Sequence, residues 1–339
     1  MFHGGRRLAV GGGFDVGSVH RTRGQAGPRR SPGREKARRD RPAKCRRDPG
    51  DCNRHGAGAG CRGTADDADS EPVVRPLSPP RATTVVDPGT VTVTQDGAVA
   101  TVSFHHPRGN SLPGALLRRL AAEVAATGAR ADVRVIVLRS EGTGPWCAGA
   151  SFDELAAIAT PEQGLEFFSG FSGVILAMTQ VPQFVIARIH GKTAGGGVGL
   201  TAAADYAICT TRAAFRLSEL AVGIGPFVVG PVIERKVGSG AYAAMTVDAD
   251  WRDAAWAERH GLGAKVVADE AALDAAVAQL ADTLARSNPQ AMAELKRVFW
   301  AGTEHWPTLL RERAAASGRL VLGDFTREAI AAFKAGARA

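Results

Sequence analysis

Residues 189–200 read IHGKTAGGGVGL, with glycine at four of the five positions 195–199 and only Val198 between them. Glycine gives up the most backbone freedom on folding and tolerates the closest approach of other groups. A run like this therefore turns the chain, admits a ligand, or lets another backbone come near. The preceding QFVIARIHG is an apolar run of strand length, and the following VGLTAAA begins a helix. A loop in that position offers free N–H groups at a helix N-terminus, suited to an anion or a developing oxyanion.

Two phosphate motifs can be compared with it directly. A Walker loop ends in Gly-Lys-Ser/Thr, which GGGVGL lacks. A dinucleotide fingerprint needs a different glycine spacing, although Glu219 does lie 20 residues beyond Gly199. Nucleotide binding, a purely structural turn and an oxyanion site all stay open on spacing alone. A second small-residue loop favours the oxyanion. CAGASFDEL places Gly149, Ala150 and Ser151 after the buried strand VRVIVLRS and before a helix. Two such loops could aim two N–H groups at one oxygen, the geometry that stabilises a thioester enolate.

Around these loops strand and helix patterns alternate. TVTVTQDGAVATVSF predicts a hairpin turning at Asp96-Gly97. PGALLRRLAAEVAATG predicts a helix opened by Pro113 and closed by Gly128. DYAICT and AKVVA are further short apolar strands, and DEAALDAAVAQLADTLARS is an amphipathic helix capped at Asp269. The alternation predicts an α/β fold with buried, largely parallel strands. We divide the chain into a disordered basic extension (1–84), an α/β core (85–275) and a helical C-terminal region (276–339).

The net charge of +8 belongs to the extension: residues 1–82 hold 18 Lys+Arg against 9 Asp+Glu, and the remainder holds 24 against 25. The extension lacks apolar periodicity and interleaved aromatics, which argues against a folded domain and against a nucleic-acid arm. The five cysteines (45, 52, 61, 147 and 209) have no paired Cys-x-x-Cys spacing, so no metal site is expected. No run of 18 apolar residues and no signal-type apolar segment occurs, so neither a membrane span nor secretion is expected, and the chain reads as cytoplasmic.

WCAGASFDEL, IHGKTAGGGVGLTAAADYAICT and FRLSELAVGIGP, in this order and at these separations, resemble the enoyl-CoA hydratase/isomerase (crotonase) superfamily. The resemblance covers residues 88–339. It implies a spiral of ββα units with a helical C-terminal region, assembly as homotrimers or hexamers, and an acyl-CoA substrate. Coenzyme A would be part of that substrate, with no separate cofactor. It also implies an oxyanion hole from the amides of Ala150 and Gly196, with Gly149, Ser151, Gly195 and Phe227 around the acyl group. Arg108, Phe333 and Lys334 stand at stretches the family uses around coenzyme A. Its hydratases carry two glutamates. The second falls on Glu219; the first falls on Gly199, which has no side chain.

Syn addition of water is easiest with two carboxylates, one for water and one for the proton. Glu219 alone favours moving a double bond. Hydration through the lone glutamate, other enolate chemistry such as decarboxylation, and a non-catalytic acyl-CoA- or RNA-binding role are the alternatives. The local LSELAVGIG is apolar, and burial there would raise the Glu219 pKa toward neutrality. Asp153 and Glu154 read as acids at a helix start, Asp205 as a structural acid, His190 as a packed loop histidine, and Cys147 as unactivated, with no paired histidine.

Overall fold

The computed structural model of the protein describes residues 88–336. The extension 1–84, with Cys45, Cys52 and Cys61, lies outside the described residues.

β1 (Thr90–Asp96) and β2 (Val99–His105) form the antiparallel hairpin, in register from Thr90 opposite His105 to Asp96 opposite Val99. Gly97 turns it at φ +53°. From β2 onward one unit repeats: a long strand, a short strand, a helix. β2 leads to β3 (Ser111–Leu112) and α1 (Gly114–Gly128). β4 (Val135–Ser140) leads to β5 (Gly149–Ala150), α2 (Phe152–Ala157) and α3 (Pro161–Gln180). β6 (Phe184–Ile189) leads to β7 (Thr193–Ala194) and α4 (Gly196–Ala203). β8 (Tyr206–Thr210) leads to β9 (Ala214–Arg216), a 3-10 turn (Leu220–Val222), α5 (Gly230–Val237) and α6 (Ser239–Asp248). Then come β10 (Arg252–Asp253), α7 (Ala254–Arg259), β11 (Lys265–Val267), α8 (Glu270–Ala285), α9 (Pro289–Phe299), α10 (Trp306–Leu320) and α11 (Asp324–Gly336).

The long strands make one sheet in the order β1-β2-β4-β6-β8-β11, parallel beyond the first hairpin. The short strands stack separately: β3 pairs with β5 and β7 with β9, both parallel, and a Cys147–Thr193 bridge joins the two ladders. This is the expected spiral of ββα units. Successive turns bring together the segments after β4, β6 and β8, which hold Gly149 and Ala150, the glycine run and Glu219.

The central strands β4, β6 and β8 are buried on both faces, which is why they read as continuous apolar runs, whereas β1 at the edge alternates and keeps one face exposed. Ile136, Leu138, Val185, Ala187, Ile189, Ala207 and Cys209 join the core with α1, α3 and α4. The alternate residues Val135, Val137, Ile186 and Ile208 meet Leu273, Ala276 and Val277 of α8 and Met292 of α9. Asp269 caps α8 by accepting from Ala272 N at 2.9 Å. That helix runs through residue 275, so the sequence boundary there falls inside an element packed on the sheet.

Two contacts fix the C-terminal helices. Asp205, before β8, is the structural acid expected of it. Its Oδ2 accepts from Val185 N and pairs with Lys296 Nζ of α9, each at 2.8 Å. Its Oδ1 accepts from Trp300 Nε1 at 2.9 Å, and Lys296 also donates to Gln183 O at 2.7 Å. The pair is almost fully buried, at 2% and 4% side-chain exposure. On the other face α10 meets α3 backbone to backbone: a β-carbon on Gly164 would lie 2.5 Å from Gly318 Cα.

Candidate active site

The glycine run follows β7 and opens α4, and each glycine has a different neighbour. Gly195 takes φ +50° as the residue before the helix, and a β-carbon there would lie 3.1 Å from Glu219 Oε1. A β-carbon on Gly196 would overlap the Phe171 ring of α3. On Gly197 it would lie 2.7 Å from Cys147 Cβ, and on Gly199 2.6 Å from Val229 Cβ. The run is thus a loop and first helical turn pressed between four side chains. Gly196 is the first residue of α4, so its N–H has no partner within the helix.

The second loop lies alongside. Gly149 takes φ +88°, and a β-carbon on it would meet Ala194 O at 3.0 Å and Gly195 Cα at 3.7 Å. Glycine at both positions lets the loops approach this closely. Ser151 N donates to Leu112 O across the β3–β5 ladder. Backbone groups alternate in direction along a strand, so the Ala150 N–H points away from β3.

Glu219 is placed by the turn that follows β9. Its carbonyl accepts from Val222 N at 3.2 Å and Ile224 N at 3.0 Å, and Gly223 closes the turn at φ +80°. A β-carbon on Gly223 would meet Phe325 and Thr326, so α11 presses on this turn. The residue is half-buried, but its Oε2 is buried and without a hydrogen-bond partner. Burial pushes the carboxyl up to about 7, against the lowering effect of the backbone amides of Glu219 and Ser218. A group poised there can both take and return a proton near neutral pH.

One cavity collects Gly149, Ala150, Gly195, Gly196, Glu219 and Phe227. Glu219 is the one carboxylate lining it; Ser218 and Ser317 supply the hydroxyls, and the other side chains are apolar. Ser151 does not line this cavity. It caps α2, its Oγ accepting from Glu154 N at 3.4 Å, because a serine three residues before a glutamate suits a helix start. Ser151 instead lines an adjoining cleft with Arg108, Ala150, Phe152, Asp153, Phe333 and Lys334. There Phe333 stacks on Phe152 at 4.4 Å between ring centroids. Lys334 Nζ pairs with Asp153 at 2.8 Å, and Arg108 pairs with the same carboxylate. The three residues assigned to coenzyme A thus share one surface that meets the cavity at Ala150.

Phe171 and Val229, which also line the cavity, are not among the residues singled out from the sequence. Both sit in apolar stretches, and only the glycines opposite them mark their places. His190 is fully buried, its Nε2 3.1 Å from Gly144 O, and burial lowers its pKa. Burial pushes the Cys147 thiol up to about 12, far from a reactive thiolate. Both are packed residues, as their sequence setting implied. No helix among the described residues is long and apolar enough to cross a membrane.

Comparison with known proteins gives the family and the fold. The enoyl-CoA hydratase/isomerase family model matches residues 94–329. The protein named "Probable enoyl-CoA hydratase echA12" of Mycobacterium leprae is 31% identical over 219 residues, covering 61% of this chain and 72% of that one. Carnitinyl-CoA dehydratase of Proteus mirabilis is 28% identical, covering 62% and 80%. The crystal structure of an enoyl-CoA hydratase from Mycobacterium avium superposes with a TM-score of 0.65 at 29% identity, covering 73% of this chain and 96% of the other.

Proposed function

The chain belongs to the enoyl-CoA hydratase/isomerase family, and on that premise we propose that it shifts the double bond of an enoyl-CoA by moving one proton through Glu219. The observation that carries this is a single buried carboxyl near neutrality, in an apolar cavity between two glycine loops. In the proposed step the Glu219 carboxylate removes a proton from the α-carbon of a 3-enoyl-CoA. The C–H electron pair spreads over the double bond and the thioester carbonyl, whose oxygen accepts from the Ala150 and Gly196 amides. Protonated Glu219 then returns the proton to the γ-carbon, and the pair closes the α,β double bond. No atom is gained or lost, so one acid/base suffices and no cofactor beyond the substrate's own coenzyme A enters.

Each oxyanion donor of this kind is worth about 3–4 kcal/mol and an acid/base about 10²–10⁴-fold in rate. Arg108, Phe333 and Lys334 would hold the coenzyme A portion on the adjoining cleft. We place the enzyme in the cytoplasm as a trimer or hexamer, which sedimentation of the purified protein tests.

The second reading is hydration of a 2-enoyl-CoA through the same glutamate, favoured by the hydratase and dehydratase names of the relatives. Incubation with 2-enoyl- and 3-enoyl-CoA in heavy water, followed by mass spectrometry, separates the two. Isomerised enoyl-CoA as the main product, with deuterium only where protonated Glu219 exchanges with solvent, supports the first. Hydroxyacyl-CoA as the main product supports the second. Full activity in Glu219→Gln would remove Glu219 from both.

A further inference from the structure

We propose that Val229 selects the product: its side chain fills the space beside Gly199 and keeps an activated water out of the cavity that holds Glu219. This rests on the Glu219 reading above and adds a residue that decides between its two outcomes.

Hydration of a 2-enoyl-CoA forms a bond from a water oxygen to the β-carbon. The double-bond pair moves to the α-carbon, which gains a proton as the water loses one. That water must be held by two to four polar partners. The cavity wall offers few, and along Val229 it offers none. Val229 is 4% exposed and lies against α4 where the first helical turn carries Gly199.

The contact is tight at the branch point itself. A β-carbon on Gly199 would overlap Val229 Cγ1 and sit 2.6 Å from Val229 Cβ. Alanine at 229 would keep that second clash, so only glycine at 229 makes room for any side chain at 199. The backbone also holds Val229 in place. It stands at the residue preceding α5, with helical dihedrals (φ −84°, ψ −13°) and no side-chain cap bond. Its carbonyl accepts from Ile233 N at 3.1 Å, which ties the residue to the first turn of α5. A β-branched side chain tied there has few rotamers by which to turn its branch away from Gly199.

The test compares wild type, Val229→Gly, Gly199→Glu and the double variant. Each is given 2-enoyl- and 3-enoyl-CoA in heavy water, and its melting temperature is measured. Gly199→Glu alone should melt about 5 °C or more below wild type, and Val229→Gly should relieve most of that loss. The double variant should raise the ratio of hydroxyacyl-CoA to isomerised product at least about tenfold, with Val229→Gly between it and wild type. A folded double variant that still isomerises with an unchanged ratio would overturn the role of Val229 and leave the Glu219 reading standing. Wild type that hydrates as fast as it isomerises would overturn it too, since Val229 would then be no barrier. If wild type converts neither enoyl-CoA, the Glu219 reading falls and the selector role falls with it. The melting data would then report only the packing of 199 against 229.

Discussion

Asp205 and Glu219 are both acids turned inward, and their surroundings are opposites. Asp205 has a backbone amide, an indole N–H and an ammonium on its two oxygens. Glu219 has a buried oxygen with no partner. A buried carboxylate with its donors in place is part of the scaffold. One short of donors is held near neutrality, stores a preference for its protonated form, and is free to exchange a proton with whatever enters the cavity. The difference lies in what each acid faces: the end of α9 for Asp205, and two side-chain-poor loops for Glu219.

The comparison breaks if the two acids respond alike to mutation. The largest effect is expected at Glu219: Gln there should lower kcat/KM for enoyl-CoA isomerisation about 10²–10⁴-fold in steady-state assays while the protein stays folded. Next comes the scaffold. Asp205→Ala strands the Lys296 charge and should cost about 3–5 kcal/mol in urea unfolding, with kcat/KM per folded molecule changed far less. Stability should then move with pH in a direction set by Glu219. Its folded pKa of about 7 lies above the ordinary glutamate value of 4.5. The protonated group therefore contributes stability fully below about pH 4.5, and that contribution is lost as pH rises through about 7. Glu219→Gln should accordingly be more stable than wild type at pH 8, by up to about 3 kcal/mol, with the gap closing toward pH 4.5. Over the same range the wild-type kcat/KM should rise with pH to a plateau above about 7, as the base form fills. The smallest effect is expected where a pair meets solvent. Lys334, 32% exposed beside Asp153, should change unfolding free energy by less than about 1 kcal/mol when made alanine.

Much of this was legible because chemistry and register coincide. The hairpin, the buried strands and the capped helices follow from alternation, length and end residues. That Glu219 and Gly196 meet at one cavity follows from their spacing within the resemblance. Ser151 illustrates a second signal overriding the first: beside the proposed oxyanion amide it reads as a substrate residue, yet its register with Glu154 makes it a helix cap. Phe171 and Val229 were not legible. Apolar residues that line a cavity obey the same periodicity as those that fill a core, and only tertiary contact tells them apart. The glycines gave the place of those contacts without the identity of the partners. The burial of α8 across residue 275 was likewise hidden, since an amphipathic helix does not declare which surface it covers.

The meeting of Gly164 with Gly318 reaches beyond packing. Ser317, beside that contact, lines the cavity that holds Glu219, so part of the cavity wall is supplied by a helix that begins more than a hundred residues after the last glycine of the run. The C-terminal helices are therefore not an exchangeable module. A chimera that brings α10 from another protein must bring a partner for residue 164 as well. A bulkier residue at either position would lift α10 and reshape the chamber while leaving every residue of the glycine loop unchanged.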